Sequence, residues 1–139
     1  DASSASAHYN AAINASMKST SLFPSNVFNY SISQAAIDNY IAAHPLNGAT
    51  FDKQMEQIHT QFYLAHFMWL DFFEAFSNFR RTGYPKLTPP NYPGNFTGGK
   101  QLLRLRYPIS ESSLNKANYE AAIASQGPDL YTTPVWWDK

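Results

Sequence analysis

An all-α fold with a long irregular segment is what this sequence predicts, on three observations. Phe51 to Arg81 carries one apolar stripe at helical spacing, two shorter segments before it are alanine- and aromatic-rich with a capping residue at hand, and the stretch after Gly83 is crowded with proline and glycine. The stripe runs through Phe51, Met55, Ile58, Phe62, Ala65, Trp69, Phe72, Phe76 and Phe79 in steps of four and three, the spacing that keeps side chains on one face of an α-helix. Read as one helix it would be roughly 45 Å long. From Phe62 onward Tyr63, Leu64, Phe67, Met68, Leu70 and Phe73 fill the other faces, so protein is expected to cover its C-terminal half on several sides.

The elements follow in order. Ser6 to Lys18 has apolar residues at Tyr9, Ala12, Ile13 and Met17 and reads as a short amphipathic helix. Ser19 to Ser33 mixes Pro, Asn and Ser with Phe23, Val27, Phe28 and Tyr30, an ordered loop pinned by aromatic residues. Ser33 is placed to cap a second helix, Gln34 to Ala43, and His44-Pro45 ends it. Thr50 caps the long helix, Asp52 complements the dipole at its start, and Arg80 and Arg81 do so at its end. Gly83 and Pro85 stop it. Tyr84 to Lys100 holds four of the nine prolines and three of the six glycines and is a long loop. Leu102 to Tyr107 alternates as a short half-buried strand or extended segment would. A last helix, about Lys116 to Ser125, turns Tyr119, Ala122 and Ile123 inward and ends at Gly127-Pro128. The tail, Asp129 to Lys139, is extended, and its apolar end is expected to dock on its own protein. The 139 residues thus form one domain, helical over 1–82 and loop-rich with one further helix over 83–139. The chain opens on Asp1 and a small polar run, without an initiator Met or a signal-peptide pattern, and is read as part of a larger protein.

Composition removes several function classes. Ten basic and ten acidic residues give no excess of Lys and Arg to neutralise phosphates, so nucleic acid is not an expected partner. The absence of cysteine removes disulfides, cysteine nucleophiles and thiolate metal sites. Phe62 to Phe73 is strongly apolar but contains His66 and Asp71 and is followed by Glu74, which reads as a buried helix rather than a membrane span. No nucleotide-binding glycine loop or serine-nucleophile elbow occurs.

Four blocks then carry a resemblance. Asn78 to Lys86 (NFRRTGYPK), Arg106-Tyr107-Pro108 with Glu111, Asn115 to Tyr119 (NKANY) and Thr133 to Asp138 (TPVWWD) follow one another in the order found at the C-terminal end of the SusD/RagB family; Glu56-Gln57-Ile58 and Thr60-Gln61 fit as well. These are surface glycan-binding lipoproteins of Gram-negative polysaccharide-utilisation systems. The resemblance implies that the chain is the C-terminal part of a single SusD-like domain, a fragment of a tetratricopeptide-like α-superhelix. It also implies an outer-membrane lipoprotein that holds oligosaccharide without cleaving it and hands it to a SusC-like TonB-dependent transporter. The anchor cysteine and most of the helix pairs of such a protein are not in this sequence, so a further expected partner is the missing N-terminal portion.

Candidate chemistry is sparse. Asp71 and Glu74 share a helix face, where a carboxylate pair could serve glycoside hydrolysis or simply pair with Arg80, Arg81, Arg104 or Arg106; ion pairing is the expected role, because same-face neighbours do not flank a sugar. His59 and His66, seven apart, lack the spacing and third ligand of a metal site, and His8 and His44 have no partner pattern, so no metal, cofactor or catalytic residue is expected. Arg80, Arg81, Gly83, Tyr84, Pro85, Tyr107, Pro108 and Glu111 are read as structural, the arginines closing a helix and bridging to Asp71, Glu74 or Glu111. Aromatic rings stack on sugar faces, and of the abundant rings only Tyr92, Phe96, Tyr131, Trp136 and Trp137 lie outside core spacing as candidates. The sequons at Asn14, Asn29 and Asn95 are discounted as chance in an Asn- and Ser-rich chain.

Overall fold

The computed structural model describes residues 2–24, 26 and 31–138, and among these it forms helices and irregular chain with no β-strand. Two compact units divide within one helix, residues 1–79 and 80–139.

In the first unit α1 (Ala2–Ser19) is longer than expected and runs into a short 3-10 turn, Thr20–Leu22. The Thr20 and Ser19 hydroxyls donate to the carbonyls of Met17 and Ser16, satisfying acceptors that a helix end leaves open. The second helix, α2 (Gln34–Ala43), has the expected bounds, with Ser33 Oγ accepting from the Ala36 N–H at 3.3 Å. Next comes α3 (Phe51–Met68), with Thr50 Oγ1 accepting from the Lys53 N–H at 3.2 Å. Gln57 ties the α2–α3 turn, accepting from the Asn47 and Gly48 N–H groups and donating to the Pro45 carbonyl and to Asn47 Oδ1.

Helix α1 packs against α2 and α3. Their shared core is Tyr9, Ile13 and Ile37, of which Ile37 is fully enclosed. Each contributes about 1.5–3 kcal/mol of burial. Polar ties align the layer: Tyr40 donates to Gln61 Oε1 at 3.0 Å, and Gln34 to Asn14 Oδ1 at 3.1 Å. Burial raises the Tyr9 phenol above its usual pKa and the neighbouring Tyr40 adds to this, while a hydrogen bond with Gln61 acts the other way. Phe23 stacks on Trp69 at 4.6 Å; Val27, Phe28 and Tyr30 of the same expected aromatic loop lie outside the described residues.

The single long helix is not formed. After Met68 the chain breaks, and α4 (Phe72–Thr82) starts separately. Leu70 has φ 59°, its N–H donates to the Phe67 carbonyl at 3.2 Å, and the Asp71 N–H donates to the His66 carbonyl at 2.9 Å. That is a Schellman closure, with Leu70 in the left-handed place usually given to glycine. Asp71 then starts the next helix: Oδ1 accepts from the Glu74 N–H at 3.3 Å and its carbonyl from Ala75 at 3.2 Å. Asp71-Phe72-Phe73-Glu74 has the residue spacing of a capping box. Trp69 fixes the corner by donating from Nε1 to Ser19 Oγ at 3.1 Å. The apolar stripe continues across the break, which is why periodicity alone reads it as one helix. Nor is the stretch covered as expected: Leu64, Phe67, Met68, Leu70, Phe72 and Phe73 are all exposed.

In the second unit, α4 ends in Arg80 and Arg81, Gly83 takes φ 71°, and the Tyr84-Pro85 peptide is cis. The loop that follows is irregular to Lys100, and 101–108 forms neither helix nor strand: the Leu103 and Arg104 N–H groups both donate to the Tyr131 carbonyl, at 2.8 and 3.2 Å. A short helix α5 (Ile109–Leu114) precedes α6 (Lys116–Gln126), on which Tyr119, Ala122 and Ile123 are half-buried as expected. The tail returns through Thr133, buried, whose hydroxyl donates to the Pro128 carbonyl at 2.6 Å.

The break gives a stability test. Glycine at position 70 relieves about 1–2 kcal/mol of left-handed strain against about 0.5–1 kcal/mol of added chain entropy, so Leu70→Gly is expected to hold or raise the urea midpoint. Leu70→Val, branched at Cβ, should lower it by about 1 kcal/mol or more, since β-branched residues fit that region worst.

Candidate functional site

Three arginines and one buried carboxylate organise the second unit. Asp129 follows Gly127-Pro128 at the end of α6, and its side chain is 5% exposed. Oδ1 lies 3.4 Å from Arg104 Nη2 and accepts from the Tyr107 N–H at 3.2 Å, while Oδ2 lies 3.4 Å from Arg106 Nε. Arg104 is itself buried, donates from Nε to the Leu105 carbonyl, and rests 4.9 Å over the Tyr107 ring. Tyr107 meets Tyr119 of α6 edge-on at 5.9 Å and accepts from Gln126 at its hydroxyl. Arg104 and Arg106 therefore pair with Asp129, which the sequence reading did not single out, and not with Asp71 or Glu74. The signal was weak because the partners are 25 and 23 residues apart.

The remaining motif residues lie at the end of α4, in the turn after it and at the start of α5. Arg80 donates from Nη1 to the Leu103 carbonyl at 2.9 Å and lies 4.5 Å over the Trp137 ring. Arg81 is exposed. Tyr84 donates its N–H to Thr82 Oγ1, carries the Lys86 ammonium 4.6 Å over its ring, and is followed by a buried Pro85. The Pro108 carbonyl accepts from the Glu111 N–H at the start of α5, and the Glu111 carboxylate accepts from Asn115 at 2.9 Å.

The carboxylate pair on α4 is spent on structure. Asp71 caps the helix and its Oδ2 lies 3.4 Å from His66 Nδ1, and Glu74 occupies the third position of the same cap. His59 Nδ1 is 3.1 Å from Asn78 Nδ2, and His44 Nδ1 meets the Tyr40 carbonyl while its ring stacks on Tyr40 at 4.1 Å. Among the described residues no group of three His, Asp or Glu is placed to hold a metal.

Two hollows open in the first unit. One, about 610 Å³, is lined by His44, Asn47, Lys53, Glu56, Gln57 and Gln61 among others. Its polar groups are largely turned on one another: Gln57 binds the turn, and Lys53 pairs with Glu56 at 2.9 Å, a hydrogen bond that raises the ammonium pKa. The other, about 450 Å³, is an apolar groove between α1 and α3.

Of the five aromatic candidates, the structure brings two together. Phe96 and Tyr131 have ring centres 6.3 Å apart, tilted by 42°. Trp137 lies against Arg80, so the tail docks through that ring, whereas Trp136 is 95% exposed. Tyr92 is exposed, and its carbonyl accepts from the Asn95 N–H. Asn95 is a turn keystone: Oδ1 accepts from both the N–H and the hydroxyl of Thr97 at 2.9 Å, and Nδ2 donates to the Pro90 carbonyl.

Against known proteins, residues 2–138 match the family model described as SusD-like, Susd and RagB outer membrane lipoprotein. A solved chitin-binding protein is 36% identical over 96% of this chain and 28% of its own, with a TM-score of 0.75. A Bacteroidetes SusD-like protein, AC2a, is 31% identical over 96% and 25%, with a TM-score of 0.78. A SusD homologue from Bacteroides fragilis is 31% identical over 95% and 30%, at 0.69. No curated protein matches. The chain spans 25–30% of the length of these three structures.

Removing Asp129 strands a buried guanidinium. Asp129→Ala is expected to cost about 3–5 kcal/mol in chemical denaturation. Arg106→Ala, at the half-exposed end of the same pair, should cost less than about 1 kcal/mol, and equal losses would contradict the assigned roles.

Proposed function

The chain belongs to the SusD-like family, with the all-α, tetratricopeptide-like architecture of that family, and from this membership we propose that it is the C-terminal part of a non-catalytic protein that captures glycan at the cell surface. The observation that carries the reading is the family match over residues 2–138, supported by 36% identity to a protein solved as chitin-binding. The proposal extends to an outer-membrane lipoprotein that passes oligosaccharide to a SusC-like TonB-dependent transporter. The family's description as outer membrane lipoproteins supports the location, and no described helix is long and apolar enough to cross a membrane. A binding role without chemistry agrees with Asp71 and Glu74 serving the start of α4 rather than flanking a hollow.

A second reading has its own observation. The exposed apolar run Leu64, Phe67, Met68, Leu70, Phe72 and Phe73 favours a scaffold segment that completes a superhelix against the remainder of the parent protein, with ligand held elsewhere. On that reading the chain alone binds a hydrophobic dye and loses this signal on co-expression with the remainder.

The test is a glycan array, including chitin oligosaccharides, probed with the full-length parent. Binding of one polysaccharide class with no shortening of the bound oligosaccharide on prolonged incubation is the expected result. Release of shortened products, abolished by Asp71→Asn or Glu74→Gln, would overturn the non-catalytic assignment.

A further inference from the structure

We propose that Phe96 and Tyr131 form a two-ring platform on which a neutral pyranose glycan stacks; this names a contact site for the capture proposed above and rests on that reading. Phe96 is 89% exposed, in a loop with no helix or strand to bury it. Leaving a phenylalanine ring in water forfeits about 1.5–3 kcal/mol of burial, and no described residue of this chain buries it.

The backbone that carries each ring is tied by hydrogen bonds. The residue before Phe96 donates its N–H to the Tyr92 carbonyl and Nδ2 to the Pro90 carbonyl, and its Oδ1 accepts twice from Thr97, so Asn95 fixes the backbone from which the Phe96 ring projects. Tyr131 is anchored by its carbonyl, which accepts from Leu103 and Arg104, and Arg104 is in turn held by Asp129. Two rigid turns, 35 positions apart in sequence, thus present their aromatic side chains side by side. A centre separation of 6.3 Å and a tilt of 42° are neither a face-to-face stack nor a right-angled contact. With Phe96 so exposed, its ring offers a face to an incoming group.

The chemistry of that surface selects its ligand. Aromatic faces carry negative quadrupole density and attract weakly positive C–H groups. A pyranose with mostly equatorial hydroxyls presents axial C–H groups on its flat faces and hydroxyls around its rim. Among the described residues the Tyr131 hydroxyl makes no hydrogen bond, leaving it to meet that rim. The backbone on either side is already tied by hydrogen bonds, so little main-chain ordering is needed when a sugar docks. Trp136 is as exposed as Phe96 but has no ring contact of its own among the described residues, which makes it the internal control.

Isothermal titration of the full-length parent with the N-acetylglucosamine hexamer, or with the class the array selects if that differs, tests the platform. Phe96→Ala and Tyr131→Ala are each expected to weaken binding by about tenfold, equivalent to about 1.4 kcal/mol. Phe96→Trp should retain it, and Trp136→Ala should leave it unchanged. Circular dichroism melts of the Phe96 variants should overlay the parent, since the ring is exposed. Undiminished affinity in the Phe96→Ala, Tyr131→Ala double variant overturns the platform while glycan capture stands. A parent that binds no glycan on the array overturns the capture reading and the platform with it.

Discussion

The buried carboxylate of Asp129 is the constraint on which the loop-rich unit depends. A proline- and glycine-rich chain with two short helices has little apolar surface with which to fold, and no ladder to align residues 101–108. One anion supplies the alignment instead. It draws the guanidinium groups of Arg104 and Arg106 and the Tyr107 N–H to one point, which pins that stretch to the turn after α6. With Asp129 in place, Tyr131 is two residues further on, and its carbonyl caps the Leu103 and Arg104 N–H groups. Buried ion pairs are poor sources of net stability, since desolvation offsets most of the attraction. Their use here is registry: the arrangement that satisfies the charge also sets Tyr131, two residues on, beside Phe96.

The helical unit solves a different problem. Its stripe of large apolar residues is continuous, but the backbone is not. Asp71 offers the chain a side-chain acceptor in place of a helical carbonyl, and Trp69 is drawn toward Phe23 and Ser19, so α3 closes and α4 restarts at Asp71 with the groups at the break hydrogen-bonded. Leu70 adopts a left-handed conformation at the corner, at a strain of about 1–2 kcal/mol.

What could be read from the sequence tracks the range of the interaction. Ser33 and Thr50 act within three residues of where they stand, and both helix starts were legible from them. Asp71 acts at the same range, but within an unbroken apolar stripe its spacing to Glu74 reads as two carboxylates on one helix face rather than as a helix start. Asp129 was not legible, because its partners lie 22 to 25 residues away and an acidic residue after Gly-Pro looks like any solvated turn. The same holds for the aromatic candidates: a position outside helical core spacing marks Phe96 and Tyr131 among five, and only the folded turns bring these two together.

Exposure means different things in the two units, and the difference bears on function. The apolar residues around the α3–α4 corner are aliphatic and aromatic together and continuous with a groove on α1, the character of a surface made to be covered by protein. Phe96 stands instead on a polar loop braced by hydrogen bonds, next to a tyrosine with an open hydroxyl. A protein partner rewards area and tolerates adjustment, whereas a sugar rewards a flat ring held still with a polar group at its edge. On the proposed reading the first surface belongs with assembly of the parent protein and the second with its ligand, so the glycan-capture and scaffold proposals concern two parts of one chain rather than competing accounts of it.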